Sequence, residues 1–188
     1  MHVVYTGELV RLRPFRDLDE YMQLLDRRDL QMNAFWGPWH CSEPALRRTF
    51  ETDGLLGGED ACHAIEDLSD GSVAGLSLHG TPAGTDLSSW LATFVTESHW
   101  GRGLGREAKL LKLCHLFENY PVQSVWAGTT AEHEPASRGL LACGFRLAGR
   151  LRRYHWHGRY VDIMDYQLLR SDWEALPIRQ TVKRGCRS

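Results

Sequence analysis

The segment that most constrains this chain runs from Ser89 to Asn119, where SWLATFVT is followed by ESHWGRGLG and then REAKLLKLCHLFEN. The first piece is rich in aromatic and β-branched residues and predicts a strand. In the second, Gly101, Gly103 and Gly105 alternate, leaving the backbone free of Cβ atoms where successive amides must turn toward one point. The third predicts a helix over 106–119, in which Leu104, Ala108 and Leu111 share one apolar stripe and Leu110, Leu113, Cys114 and Phe117 lie beside it. A helix that starts on such a turn adds unpaired N–H groups and the positive end of its dipole, a setting suited to a phosphate or diphosphate. Arg102 and Arg106 can add charge. The nucleotide-hydrolase loop GxxxxGK[ST] is absent, and the dinucleotide fingerprint GxGxxG fails because the spacing here is GxGxG with arginine at 106. Taken alone, the turn reads equally well as a tight strand-to-helix connection without a ligand.

The rest of the chain alternates strands and helices. Alternation predicts a strand over 8–14, and helical spacing predicts a helix over 17–27 with Asp17 as its cap. Ser42, with Pro44 in the first turn, predicts a helix to about Thr52. Two strands, 61–67 and 73–79, flank the turn-rich DLSDGS, and further strands are predicted over 89–96, 123–130, 145–155 and 160–169. A short helix over 135–142 is stopped by Gly144. The order implies one α/β domain, residues 1–176, with a twisted, mostly antiparallel mixed sheet and helices on both faces. Residues 177–188, carrying Arg179, Lys183, Arg184 and Arg187, read as a flexible basic tail.

Composition removes several function classes. With 22 basic against 24 acidic residues, the net charge of −2 supplies no field for nucleic acid or an anionic membrane. The cysteines number five, widely spaced and without a CxxC pair, and the nine histidines form no HExxH-like set, so neither a disulfide framework nor a metal site is indicated. No apolar run reaches the roughly 18 residues of a membrane span. These features predict a cytoplasmic protein with no nucleic-acid or membrane partner, either a monomer or a homodimer.

WGRGLGREA resembles the coenzyme A-binding motif of the GNAT superfamily of N-acetyltransferases, Gln/Arg-x-x-Gly-x-Gly/Ala, and within it the RimJ/RimL-like branch. Gly103 and Gly105 stand at the two small positions, and Trp100 stands where that branch commonly has an aromatic residue. EPAS (134–137) followed by Gly144-Phe145, then GRLRRY, GRYVD, YQLL and Asp172-Trp173 resemble later family elements in order, so the likeness spans 9–176. It implies acetyl-coenzyme A as cosubstrate, no metal, and a small-molecule or peptide amine as acceptor. A non-catalytic acyl-coenzyme A-binding module is the alternative.

The resemblance also implies a set of site residues. The diphosphate would lie on Trp100, Gly101, Arg102, Gly103, Leu104, Gly105 and Arg106, the pantetheine arm along Phe94 and Val95, and Ser137 would contact the cofactor. The family's asparagine falls on Glu134 or His133 according to register, its tyrosine on Leu140 or Leu141, and its glutamate on Trp90. Acetyl transfer needs a neutral amine, a polarised thioester carbonyl and a leaving thiolate. Glu97, Glu134, His133, His79 and Asp162 are candidate bases, and Ser137 is a candidate acid. Cys143 reads as core packing rather than as a covalent carrier. For the acceptor, the aromatic loop with Phe35, Trp36, Trp39 and His40 is the candidate wall, joined by Tyr154, His155 and Trp156. Trp90 and Trp126, both on strands, read as core.

Overall fold

The computed structural model describes residues 4–27, 42–57, 60–80, 87–156 and 159–179, and for 153–156 the backbone only. In chain order these form β1 (Tyr5–Thr6), β2 (Val10–Arg13), α1 (Leu18–Leu25), α2 (Glu43–Asp53), β3 (Asp60–Asp67), β4 (Val73–Gly80), β5 (Ser88–Val95) and a 3-10 turn (Glu97–His99). There follow α3 (Leu104–Asn119), β6 (Ser124–Thr130), α4 (Glu134–Ala142), β7 (Arg146–Trp156), β8 (Arg159–Leu169) and α5 (Arg170–Ala175).

Local chemistry accounts for most boundaries. The Asp17 carboxylate accepts from the Glu20 amide at 2.7 Å and caps α1. Ser42 stands at the start of α2 but makes no side-chain capping bond, leaving Pro44 to set the entry. α2 ends on Gly54 at φ 64°, in the left-handed region that glycine tolerates. α3 begins two residues earlier than the sequence predicts. Of the three glycines of the turn, Gly101 and Gly103 take positive φ, 73° and 83°, whereas Gly105 is already helical. β1 and α5 went unforeseen, being only two and six residues long, too short for periodicity to register.

The eight strands form one sheet in the order β1-β2-β3-β4-β5-β6-β8-β7. Every neighbouring pair is antiparallel except β5 and β6, which are parallel. α3 covers one face, and its apolar side packs on Val10, Leu12, Ile65 and Leu91, with Leu140 and Cys143 of α4 and Trp173 of α5 closing that core. α1 covers the other face with Leu18, Tyr21, Leu24 and Leu25 against Cys62, Ala64 and Leu76, and Leu46 and Phe50 of α2 pack at its margin. The predicted helix-covered, mostly antiparallel sheet is the fold observed.

Candidate active site

The site exists because β5 and β6 separate. They pair for three rungs only, Ser88 to Trp90 against Ser124 to Trp126. Beyond that point β5 stays bonded to β4 as far as Val95 opposite Gly75, while β6 stays bonded to β8 as far as Thr130 opposite Ile163. Each strand follows its outer neighbour, and the twist of the two half-sheets opens a wedge between them. A cleft of about 750 Å³ fills it, lined by consecutive residues 90–95 of β5 and 126–129 of β6. Because consecutive strand residues point to opposite faces, a cavity lined by all of them passes through the sheet.

The glycine turn closes the helix side of this cleft. Gly101, Gly103, Leu104 and Gly105 all line it. Hydrogen bonding inside α3 starts with the amides of Arg106 and Glu107, both donating to the Gly103 carbonyl. The amides of residues 101–105 have no protein partner among the described residues, so they form a donor cradle at the positive end of α3. A Cβ on Gly105 would stand 3.2 Å from Cγ2 of Val95, which is why the smallest residue sits there. The Trp100 indole donates to the Val95 carbonyl at 2.7 Å and ties the end of β5 to the turn. These features fit an extended anionic ligand: amides for its phosphates, open strand edges for its arm.

One of the two expected basic side chains lies elsewhere. Arg102 turns away from the cleft, with its guanidinium 2.7 Å from Asp67 and 3.0 Å from the Ser69 hydroxyl on the β3–β4 turn. Arg106 is exposed and does line the cleft. A third cation, Lys109, went unnoticed in the sequence. One helical turn beyond Gly105, it lines the cleft with Nζ 3.3 Å from the Gly105 carbonyl, and desolvation there lowers its pKa. His133 lines the cleft at the start of α4, its pKa lowered by burial and then by Lys109.

The remaining candidates are scattered. Glu97 is exposed in the 3-10 turn, Ser137 lies on α4 beside the lining residues Ala136, Gly139 and Leu140, and neither borders the cleft. Asp162 is held by Arg150, whose Nε donates to it at 2.6 Å. Glu134 pairs with Arg138 at 3.1 Å on the exposed side of α4. At the two positions matching the family's tyrosine, Leu140 faces the cleft and Leu141 is 53% exposed. Cys143 is buried, and burial raises its pKa. Trp36, Trp39, His40, Phe35 and the side chains of Tyr154, His155 and Trp156 fall outside the described residues. Trp90 and Trp126, read as core from the sequence, both line the cleft, and Trp126 is 37% exposed. They stand opposite each other on the last rung before the strands part, the Trp90 indole lying over Gly80 of β4, where a side chain would collide with it.

Two supporting elements were also missed. Glu107 reaches back across α3 to accept from the amides of Glu8, Leu9 and Val10 at 2.9, 2.7 and 2.7 Å, pinning the start of β2 beneath the turn. His79, a candidate base from the sequence, is fully buried under α3 instead. Its Nδ1 and that of His63 accept from Lys112 Nζ at 3.2 and 2.8 Å. Asp67, Asp70 and His99 bring possible ligand atoms within 4.8 Å of one another, but the Arg102 guanidinium already sits against Asp67.

The acetyltransferase (GNAT) domain family model matches residues 10–146. This chain belongs to that family. The match contains the glycine turn, both strands of the wedge and α4. No curated protein sequence matches the chain. Among solved structures, a GCN5-related N-acetyltransferase from Brucella melitensis is 22% identical, with TM-score 0.71, covering 98% of this chain and 85% of its own. Spermidine N-acetyltransferase from Vibrio cholerae, in complex with CoA and spermine, is 20% identical with TM-score 0.74, covering 87% and 97%. RimL, a ribosomal L7/L12 alpha-N-protein acetyltransferase in complex with coenzyme A, is 16% identical with TM-score 0.74, covering 89% and 97%. At these identities the likeness is one of fold. No helix among the described residues is long and apolar enough to cross a membrane.

Proposed function

We propose that this chain is a cytoplasmic acetyl-coenzyme A-dependent N-acetyltransferase of the RimJ/RimL-like branch, acting on an amine of a small molecule or of a peptide N-terminus. The observation that carries the reading is the run of unpartnered amides at 101–105, set at the mouth of a cleft that passes through the sheet. The fold neighbours from Vibrio cholerae and RimL, both crystallised with coenzyme A, support the same cosubstrate.

In this reading the turn amides hold the diphosphate, and Arg106 and Lys109 add positive charge beside it. The edge of β5 that β6 leaves unpaired from Leu91 onward receives the pantetheine arm. An acceptor arriving as an ammonium first gives one proton to solvent. The neutral nitrogen then bonds to the thioester carbonyl carbon, the C–S bond breaks, and the proton that the nitrogen loses on forming the amide goes to the leaving thiolate, releasing the thiol. Since Ser137, Glu97 and Asp162 do not border the cleft, holding amine and thioester together supplies most of the rate, an effect that reaches several orders of magnitude. Of the cleft-lining groups that can accept a proton, His99, His133 and Asp165, His133 stands on the helix side beside Lys109, its pKa lowered by burial and then by Lys109.

Two measurements test this. Millimolar acetyl-coenzyme A should raise the unfolding temperature, and an absence of stabilisation would refute the cosubstrate. Release of free thiol with a panel of small amines and N-terminal peptides should then be detectable. Binding without any release would favour a non-catalytic acyl-coenzyme A-binding module.

A further inference from the structure

Charge in the cleft is sorted by face. Arg106, Lys109 and His133 all come from α3 and α4 or the residue that opens α4, on the helix-covered side where the amides converge. Among the described residues that line the cleft there is one carboxylate, Asp165 of β8. Asp165 alternates with Met164 and Tyr166, which pack into the α3 core, so its side chain leaves the opposite face of the sheet. Its two cross-strand partners are glycines, Gly128 on β6 and Gly149 on β7. A Cβ on Gly149 would meet nothing within 4 Å. Neither of the two paired residues therefore sets a side chain beside the carboxylate, whose same-face neighbours along β8 are Ile163 and Gln167. Asp165 makes no ion pair or hydrogen bond with any described residue, and it is half-buried. Trp126, two residues before Gly128 and so on the same face, is paired with Gln167 and lines the same cleft with its exposed side chain, with Trp90 across the last shared rung.

Resting on the acetyltransferase reading, we infer that the acceptor enters from the face opposite the cofactor, its ammonium bound by Asp165 and its apolar body against Trp126. One carboxylate beside one exposed indole selects an amine carrying a single positive charge next to a flat or apolar group. A polycation would leave its further charges without partners among the described lining residues, so it gains nothing over a monocation. An anionic cofactor and a cationic acceptor thus approach the same wedge from opposite faces, each toward its own complementary charge.

The test is isothermal titration of the chain loaded with coenzyme A, using 2-phenylethylamine, the uncharged 2-phenylethanol and spermidine as probes. Phenylethylamine should bind at least about tenfold more tightly than phenylethanol and no more weakly than spermidine. Asp165→Asn should lower phenylethylamine affinity about tenfold or more, Asp165→Glu should recover part of it, and Trp126→Ala should weaken it several-fold, each with coenzyme A affinity unchanged. Equal binding of amine and alcohol, wild-type affinity in Asp165→Asn, or tighter binding of spermidine would each overturn the inference. If coenzyme A itself fails to bind, the proposed function falls, and the same amine titrations on the free chain still decide the role of Asp165.

Discussion

Helix α3 carries two polar sites of opposite kind. The turn that opens it sets the amides of residues 101–105 at the cleft, without a protein partner among the described residues. Two turns further on, Lys112 is fully buried, its Nζ donating to His63 and His79, with the His115 ring packed edge-on 5.4 Å and 5.1 Å from theirs. The first site is made of main chain, and its energetics are decided by φ angles that glycine allows. The second is made of side chains held uncharged: burial brings Lys112 down to about 7, and burial, followed by the neighbouring amine, brings His79 down to about 2 and His115 to about 4. A backbone site is sensitive to shape and tolerant of pH; a buried basic cluster is the reverse.

The sharpest way to break this comparison is Gly105→Val. Its side chain would press on Val95 and fill the space before the amides, so coenzyme A affinity should fall about a hundredfold or more by calorimetry. Unchanged affinity would show that the cradle is misassigned.

The next largest effect concerns how the turn is held from beneath. Glu107→Ala removes the acceptor for three amides at the start of β2 and should destabilise the fold by about 2 kcal/mol in urea unfolding.

The basic cluster makes the converse prediction, on pH. Lys112 releases its proton near 7 when folded, whereas the unfolded chain keeps it to about 10.5, so unfolding takes up a proton between those values and stability rises with pH across that window. The three imidazoles, lowered from 6.5, add a loss of stability as pH falls below about 6.5 toward 4. Lys112→Met should flatten the rise between pH 7 and 10 in thermal melts while leaving the acid loss. A rise of wild-type size in Lys112→Met would rule out Lys112 as its source.

Smallest of all, Arg102→Ala should change coenzyme A affinity by less than about threefold, because its charge is committed to Asp67 rather than to the cleft. A drop of tenfold would mean that the guanidinium swings to the phosphates.

The same contrast explains what could be read before any coordinates. The strand–turn–helix from Ser89 to Asn119 was legible because its signals are local: β-branched and aromatic residues, then glycines at alternate positions, then a helical stripe. Asp17 and Gly144 were legible for the same reason, each acting within a few residues of itself. Lys109 and Lys112 were not. In a helical pattern two lysines read as solvated side chains, and nothing nearby says that α4 desolvates one or that His63 and His79, 49 and 33 residues earlier, surround the other. Trp90 and Trp126 misled for a related reason, since strand composition predicts burial but is silent about where two strands stop pairing.

The sequence by itself determined that a turn of alternating glycines follows a strand and opens a helix, because the backbone freedom of glycine is a property of that residue and its near neighbours. Only the tertiary structure decided which side chains share the cleft with it. Asp165, Trp126, Lys109 and His133 come from four different elements, and what joins them is the divergence of β5 and β6, a property of the twist of two half-sheets that no single segment encodes.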